Sequence, residues 1–86
     1  MEELILRRWV KIDEVETPIL ETLADHDPYT ERAVETRIIG NKFKVVIEPP
    51  IDAELVRAIR KALSIKGFVL VKVYGNKYRT IMIIRR

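Results

Sequence analysis

Lysine and arginine side chains surround two Gly-Asn pairs in the second half of the chain, and their type and spacing are typical of a binding surface. They are Arg37, Lys42, Lys44, Lys72, Lys77 and Arg79, with Tyr74 and Tyr78 beside them and Arg85 and Arg86 after them. Basic side chains contact phosphates and exposed aromatic rings stack on bases, as in RNA-binding sheets. The alternative is that hairpin loops carry lysine because they are exposed, and that lysine protects sheet edges against aggregation.

The residues needed for catalysis are scarce in this sequence. It contains one histidine, His26, one serine, Ser64, and no cysteine. His26 and Ser64 are far apart in the sequence, and neither a glycine-rich phosphate loop nor a metal-ligand spacing occurs. We therefore expect a protein that is not an enzyme and that binds neither a metal ion nor a cofactor.

Charge is distributed unevenly along the 86 residues. Residues 1–36 hold ten acids and four bases, a net charge of −6, whereas residues 37–86 hold three acids and twelve bases, a net charge of +9. This asymmetry either indicates an anionic partner such as nucleic acid or is neutralised between the two halves within the fold. The chain length predicts a single domain over residues 1–86. Without a membrane-spanning apolar run or a signal peptide, we expect a cytoplasmic protein with no membrane partner. The abundant charged residues favour a thermophilic source.

The first Gly-Asn pair predicts a hairpin. Gly40-Asn41 separates two alternating segments, residues 32–39 and 42–48, and glycine at the first loop position favours a type II′ turn. The predicted register sets Ile38 opposite Phe43, Thr36 opposite Val45, and Val34 opposite Ile47. Pro49-Pro50 then ends the second strand, because proline has no N–H to donate to a sheet.

Two helices and a leading strand are predicted around this hairpin. Alternation of apolar residues predicts a strand over residues 4–12. Thr17-Pro18 predicts the start of a helix that ends before Asp27-Pro28. After the hairpin, a second helix is predicted from about Asp52 to Lys66, and Gly67 stops it.

The last segment is predicted to be a second hairpin. Residues 68–74 and 77–84 flank Gly75-Asn76, and residues 37–44 match residues 72–79 position by position. Either an internal duplication or convergence on one favourable turn accounts for this match. The predicted order is β-α-β-β-α-β-β, an α+β fold in which two helices pack on one face of an antiparallel sheet.

Two apolar surfaces exceed what such a fold requires. The stripe on the second helix is wide enough either to pack against the first helix or to form a groove for a helix of another protein. The second hairpin is apolar on both faces, so a helix or a sheet-mediated dimer is expected to cover the second face. Trp9, opposite most aliphatic residues of the leading strand, is either a rim residue or an anchor for another chain.

Residues 3–66 resemble the small dimerisation subunits of the KEOPS tRNA-modification complex, the CTAG/Pcc family. The resemblance is carried by the predicted order strand, helix, strand, strand, helix, by Asp27-Pro28-Tyr29 followed by Glu31-Arg32, and by residues 43–57, FKVVIEPPIDAELVR. The hairpin at residues 68–86 is an addition to this family-like core. Together these features are those of a divergent paralogue.

The resemblance implies a non-catalytic accessory subunit that supports threonylcarbamoyladenosine modification of tRNA. Its implied partners are the catalytic subunit of KEOPS, a second small subunit as a homodimer or a heterodimer with a paralogue, and tRNA. The implied docking surface on the helices is Leu20, Leu23, Ala24, Val56, Ile59, Arg60 and Leu63. The expected sheet interface is Ile5, Trp9, Val69, Val71 and Met82. The expected contacts with tRNA are the basic residues Arg37, Lys42, Lys44, Lys72, Lys77, Arg79, Arg85 and Arg86. The alternative function is that of a free-standing RNA- or DNA-binding module.

Overall fold

Two helices lie on one face of a four-stranded antiparallel sheet. The computed structural model describes the backbone of residues 2–86 and the side chains of residues 11–86. In chain order, the elements are α1 (Glu2–His26), β1 (Ala33–Ile39), β2 (Lys42–Glu48), α2 (Ala53–Ile65), β3 (Val69–Gly75) and β4 (Thr80–Arg85). The strand order across the sheet is β1-β2-β4-β3, so the second strand of each hairpin lies at the centre. The predicted α+β class is confirmed.

The leading strand predicted over residues 4–12 is wrong, because α1 already includes these residues. The helix start predicted at Thr17 is wrong for the same reason, and Pro18 lies inside α1. An interior proline removes one helical hydrogen bond. Burial of Val15 before Pro18, together with Ile19 and Leu23 after it, keeps α1 continuous, since these residues recur every four positions on one side of the helix. The predicted end before Asp27 is confirmed.

The first hairpin is confirmed in its strands, loop and register. Ile38 lies opposite Phe43, Thr36 opposite Val45 and Val34 opposite Ile47. Gly40 has a φ of 61° and Asn41 has a negative φ, which is the pattern of a type II′ turn.

Helix α2 begins and ends where the sequence predicts. Asp52 caps its N-terminus by accepting a hydrogen bond from the Leu55 N–H at 2.8 Å. At the other end, the Phe68 N–H donates to the Leu63 carbonyl oxygen at 2.9 Å and the Gly67 N–H donates to that of Ser64 at 3.0 Å. With Gly67 at a φ of 86°, these two bonds form a Schellman motif.

The second hairpin does not repeat the loop of the first. Strand β3 includes Gly75, and the loop is the four residues 76–79. Within it, the Asn76 side-chain oxygen accepts hydrogen bonds from the Tyr78 N–H at 2.8 Å and the Arg79 N–H at 3.2 Å. The Asn76 N–H also donates to the Arg79 carbonyl oxygen at 3.0 Å. The predicted two-residue loop is therefore wrong, because the asparagine side chain organises a longer turn.

The longer loop changes the register of the hairpin. Gly75 lies opposite Thr80 and Val73 opposite Met82, with an irregularity between Leu70 and Lys72. Met82 is fully buried in the core. Met82, predicted to share a sheet interface with Val69, consequently lies on the helix side of the sheet, and Val69 lies on the opposite side.

The core fills the space between the helices and the sheet. Its buried apolar members are Val15, Ile19, Leu23, Phe43, Val45, Ile47, Leu55, Ile59, Leu63, Phe68, Leu70, Met82 and Ile84. The rings of Phe43 and Phe68 meet edge to face with centroids 6.0 Å apart. The buried Thr80 hydroxyl accepts a hydrogen bond from the Ile51 N–H at 3.0 Å, which ties the link before α2 to β4.

Candidate nucleic-acid interface

The sheet face opposite the helices, which we call the open face, is exposed to solvent. Phe43, Val45 and Ile47 of β2 are buried beneath the helices, so alternation along the strand turns their neighbours to the open face. The same argument holds for β4, where Met82 and Ile84 are buried. The residues of the open face are Ala33, Glu35, Arg37, Ile39, Lys42, Lys44, Val46, Glu48, Val69, Lys72, Tyr74, Ile81, Ile83 and Arg85.

Strand register aligns three of the predicted basic residues in one row across the open face. Arg37 lies opposite Lys44, Lys44 opposite Ile83, and Ile83 opposite Lys72. Neighbouring strands are about 4.8 Å apart, so this basic row spans about 14 Å between its outer strands. Lys42 precedes Phe43 and Arg85 follows Ile84, so the two cations flank this pair and share the next row of the open face.

Tyr74 lies in the row beside the basic row. It is opposite Ile81, its side chain is 43% exposed, and the Lys72 Nζ is 5.1 Å from the centroid of its ring. An exposed ring next to cations is the arrangement on which bases stack in sheets that bind single strands.

Two acids partly offset the charge of the open face. Glu35 pairs with Arg37 at 2.9 Å, and Glu48 pairs with Arg79 at 3.3 Å. All four side chains are about half exposed or more, so each pair contributes little to stability and exchanges readily for a phosphate. Arg37 and Lys44 remain like charges directly opposite each other, which is unfavourable until an anion binds.

The remaining predicted nucleic-acid contacts are dispersed. Lys77 lies in the loop between β3 and β4, with its Nζ 5.2 Å from the centroid of the Tyr78 ring. Arg86 pairs with Glu14 of α1 at 2.7 Å, and its guanidinium lies 5.2 Å from the centroid of the Phe68 ring. Both of these partners belong to the helix side of the sheet. Arg86 is therefore separated from the basic row.

The predicted docking groove between the helices is closed. Leu23, Ile59 and Leu63 are buried in the core, and Val56 is partly buried against it. The wide apolar stripe of α2 thus packs within the chain, which was one of the two alternatives that the sequence left open. The exposed members of the predicted surface are Leu20, Ala24 and Arg60.

The predicted sheet interface is also dispersed. Val69 and Val71 are 44% and 46% exposed on β3, at one edge of the sheet, whereas Met82 is in the core. Ile5 and Trp9 belong to α1 and not to a strand, and their side chains lie outside the described residues.

Sequence reasoning missed two features of the open face. Its apolar centre consists of Val46, Ile81 and Ile83, which are all half-buried. Only the pairing of β2 with β4 brings Val46 beside Ile81, and no local signal specifies that pairing. The second feature is Glu35, which the alternation of β1 places beside Arg37.

One ion pair joins the two ends of the link between α1 and β1, residues 27–32. Arg32 donates a hydrogen bond to the Asp27 carboxylate at 2.7 Å, and the Thr30 hydroxyl donates to the same group at 3.0 Å. These hydrogen bonds, that of Arg32 above all, hold the pKa of Asp27 below its ordinary value. Arg32 also donates to the Pro49 carbonyl oxygen at 3.3 Å, so it joins this link to the one before α2.

Within the part of the chain that the structure describes, no three His, Cys, Asp or Glu side chains are grouped so that they could hold a metal ion. Across residues 2–86, no helix combines the length and the apolar character needed to cross a membrane.

Comparison with known proteins leaves the family open. No protein-family model matches the chain, and no curated protein matches it at a significant level. The function must therefore be argued from the site itself.

Proposed function

We propose that this chain is a non-catalytic, cytoplasmic module that binds single-stranded nucleic acid on the open face of its sheet. The observation that carries the proposal is the basic row, because strand register gathers Arg37, Lys44 and Lys72 from three strands beside the exposed ring of Tyr74. In this role the lysine and arginine side chains contact phosphates, and Tyr74 stacks on a base.

Electrostatics also favour this face over the helix side. The open face carries five cations, Arg37, Lys42, Lys44, Lys72 and Arg85, against the two acids Glu35 and Glu48. The described part of α1 is acidic and includes Asp13, Glu14, Glu16, Glu21 and Asp25. A polyanion is thus attracted to the open face and repelled by α1, whereas α2 carries Arg57, Arg60 and Lys61 against Glu54.

Fluorescence anisotropy with a labelled single-stranded RNA, measured over a series of salt concentrations, tests the proposal. If all five cations contact phosphates, the slope of log K against log salt concentration is about −3.5 for a single strand. Replacing Lys44 and Lys72 with Gln removes two contacts and brings the slope to about −2.1. A matched control replaces Arg57 and Lys61, which are exposed on α2, with Gln. This control changes the net charge equally and keeps the original slope.

Stacking is tested separately from charge. Tyr74→Ala is expected to weaken binding about 5- to 150-fold, whereas Tyr74→Phe retains the ring and the affinity. Absence of binding at low salt overturns the proposal. Equal losses in the open-face and α2 double variants would assign the binding to net charge and not to this face.

The accessory-subunit role implied by the resemblance is a second proposal, supported by a depression beside the link between α1 and β1. This depression of about 240 Å³ is lined by Leu20, Ala24, Pro28 and Arg32 among others, and Leu20 is 45% exposed there. Affinity purification from a cell extract, with and without nuclease treatment, tests it. The catalytic subunit of KEOPS should be recovered with the wild type after nuclease treatment and lost with Leu20→Asp. Recovery of nucleic acid alone from the untreated extract contradicts the accessory-subunit proposal.

A further inference from the structure

Strand β1 forms an open edge of the sheet, and alternate residues along it have free backbone groups. The type II′ turn bonds the Ile39 carbonyl to the Lys42 N–H, so Ile39 is a hydrogen-bonded pair with β2. Hydrogen-bonded and non-bonded pairs alternate in antiparallel sheets. Val34, Thr36 and Ile38 are therefore the residues whose N–H and C=O groups point away from β2.

The sequence of β1 is complementary to itself when a second copy is laid antiparallel beside it with Thr36 opposite Thr36. This register sets Glu35 opposite Arg37 twice, once on each side of the centre. It also sets Val34 opposite Ile38 on the helix side, and Ala33 opposite Ile39 on the open face. Each pair is matched in charge or in apolar character. Shifting the centre to Glu35 or Arg37 would place like charges together.

The backbone groups agree with this register. Thr36 lies at the centre of the three outward-pointing residues, so two copies of β1 exchange hydrogen bonds between Thr36 and Thr36 and between Val34 and Ile38.

The other edge of the sheet is protected. Strand β3 has an irregular register between Leu70 and Lys72, and such bulges disrupt pairing with a further strand. Strand β1 pairs with β2 in continuous register over all of its seven residues. The regular edge is thus also the self-complementary one.

We infer that two copies of this chain associate through β1, antiparallel and about a two-fold axis at Thr36, to form one eight-stranded sheet. The contact is isologous and closes on itself, so it gives a dimer and not a filament. The axis is perpendicular to the sheet, and both open faces lie on the same side. The joined face is about 34 Å wide between its outer strands. This inference does not depend on nucleic-acid binding.

Charge reversal on β1 tests the contact. In Glu35→Arg, two arginines oppose each other on both sides of the axis, and in Arg37→Glu two glutamates do so. Each variant alone is expected to raise the dissociation constant of the dimer at least about tenfold in sedimentation velocity. An equimolar mixture of the two variants restores opposite charges in every pair, so the heterodimer forms about as tightly as the wild-type dimer. Lys72→Glu at the other edge, with the same change in charge as Arg37→Glu, leaves association unchanged.

Backbone pairing gives a second readout. Amide hydrogen exchange should slow at Val34, Thr36 and Ile38 as the wild-type concentration rises, while the Arg37 amide, bonded to β2, is protected throughout. Far-ultraviolet circular dichroism of each variant confirms that it is folded. A wild type that stays monomeric at about 1 mM overturns the inference. A dimer that neither single variant weakens, or a mixture that fails to associate, overturns it equally.

Discussion

Gly40 and Gly75 are each followed by asparagine, but the structure requires glycine at the two positions for different reasons. Gly40 has a φ of 61°, and a Cβ added there meets nothing within 4 Å. Gly75 lies within β3, and a Cβ added there overlaps the carbonyl oxygen of Arg79. That oxygen accepts the hydrogen bond from the Asn76 N–H. Gly40 is thus needed for its backbone conformation and Gly75 for the close approach of two strands.

These reasons predict unequal costs for the same substitution. Gly40→Ala places an L-residue in the left-handed region at a cost of about 1–2 kcal/mol, offset by about 0.4–1 kcal/mol from the restricted unfolded chain. The net loss is about 1 kcal/mol. Gly75→Ala displaces backbone, at a cost of about 1–3 kcal/mol, and disturbs a hydrogen bond that contributes about 1 kcal/mol. The sum of about 2–4 kcal/mol is a large share of the roughly 4–13 kcal/mol expected for a domain of this size.

Urea unfolding of four variants separates the two reasons. Asparagine tolerates positive φ, so Gly40→Asn should recover most of the stability that Gly40→Ala loses. Gly75→Asn should be at least as destabilised as Gly75→Ala, because its Cβ meets the same carbonyl. With an m-value near 1 kcal/mol/M, each kcal/mol moves the midpoint by about 1 M. Equal losses at both sites, or rescue of both by asparagine, would refute the argument and favour one turn type in both hairpins.

Two further predictions concern the ends of the helices. Asp52→Ala removes the N-cap of α2 and should lower the free energy of unfolding, measured in urea, by about 1 kcal/mol. Asp52→Ser keeps a capping oxygen and should retain most of this stability. Equal stability of the two variants would contradict the role of the cap. Hydrogen bonds from Arg32 and then Thr30 lower the pKa of Asp27 in the folded state from its ordinary value of 3.8. Its ionised form therefore stabilises the protein above that ordinary value, and this contribution is lost as the pH falls through the lower folded pKa. The stability difference between the wild type and Asp27→Asn, measured from pH 7 to pH 2 at low salt, should therefore shrink below about pH 5; a constant difference would contradict the assignment.

The first hairpin and α2 could be predicted because their signals are local. Gly40 fixes the turn, and the turn fixes the register. Asp52 and Gly67 mark the ends of α2 through hydrogen bonds with residues three or four positions away. No distant part of the chain is needed for either element.

The start of α1 could not be predicted, because a local start signal at Thr17-Pro18 competes with a tertiary effect. Pro18 follows a good capping residue, which indicates a helix start. Val15, Ile19 and Leu23 repeat at the helical period across this proline, and their shared burial decides the outcome. The second loop could not be predicted because Gly75-Asn76 is compatible with two turns. One is a tight two-residue turn, and the other is a longer turn held by hydrogen bonds to the Asn76 side chain. The longer turn is the one that accompanies the pairing of β4 with β2.

The candidate site was predictable in its residue types but not in its arrangement. The basic residues and Tyr74 are evident in the sequence. Alignment of Arg37 with Lys44 follows from the first hairpin, whereas alignment with Lys72 requires both the pairing of β2 with β4 and the register of the second hairpin. The pairing of β2 with β4 joins residues more than thirty positions apart in the sequence, for instance Ile47 and Thr80.

The central place of β4 determines when the protein can acquire its structure during synthesis. Residues 80–85 follow the other five elements in sequence, yet they fill the gap between β2 and β3. Until they leave the ribosome, β2 has no inner neighbour and the core lacks Met82 and Ile84. The first hairpin can form early because its contacts are local, but the second hairpin and the joined sheet both require residues 80–85. Deletion of residues 80–85 would accordingly divide the sheet at its middle.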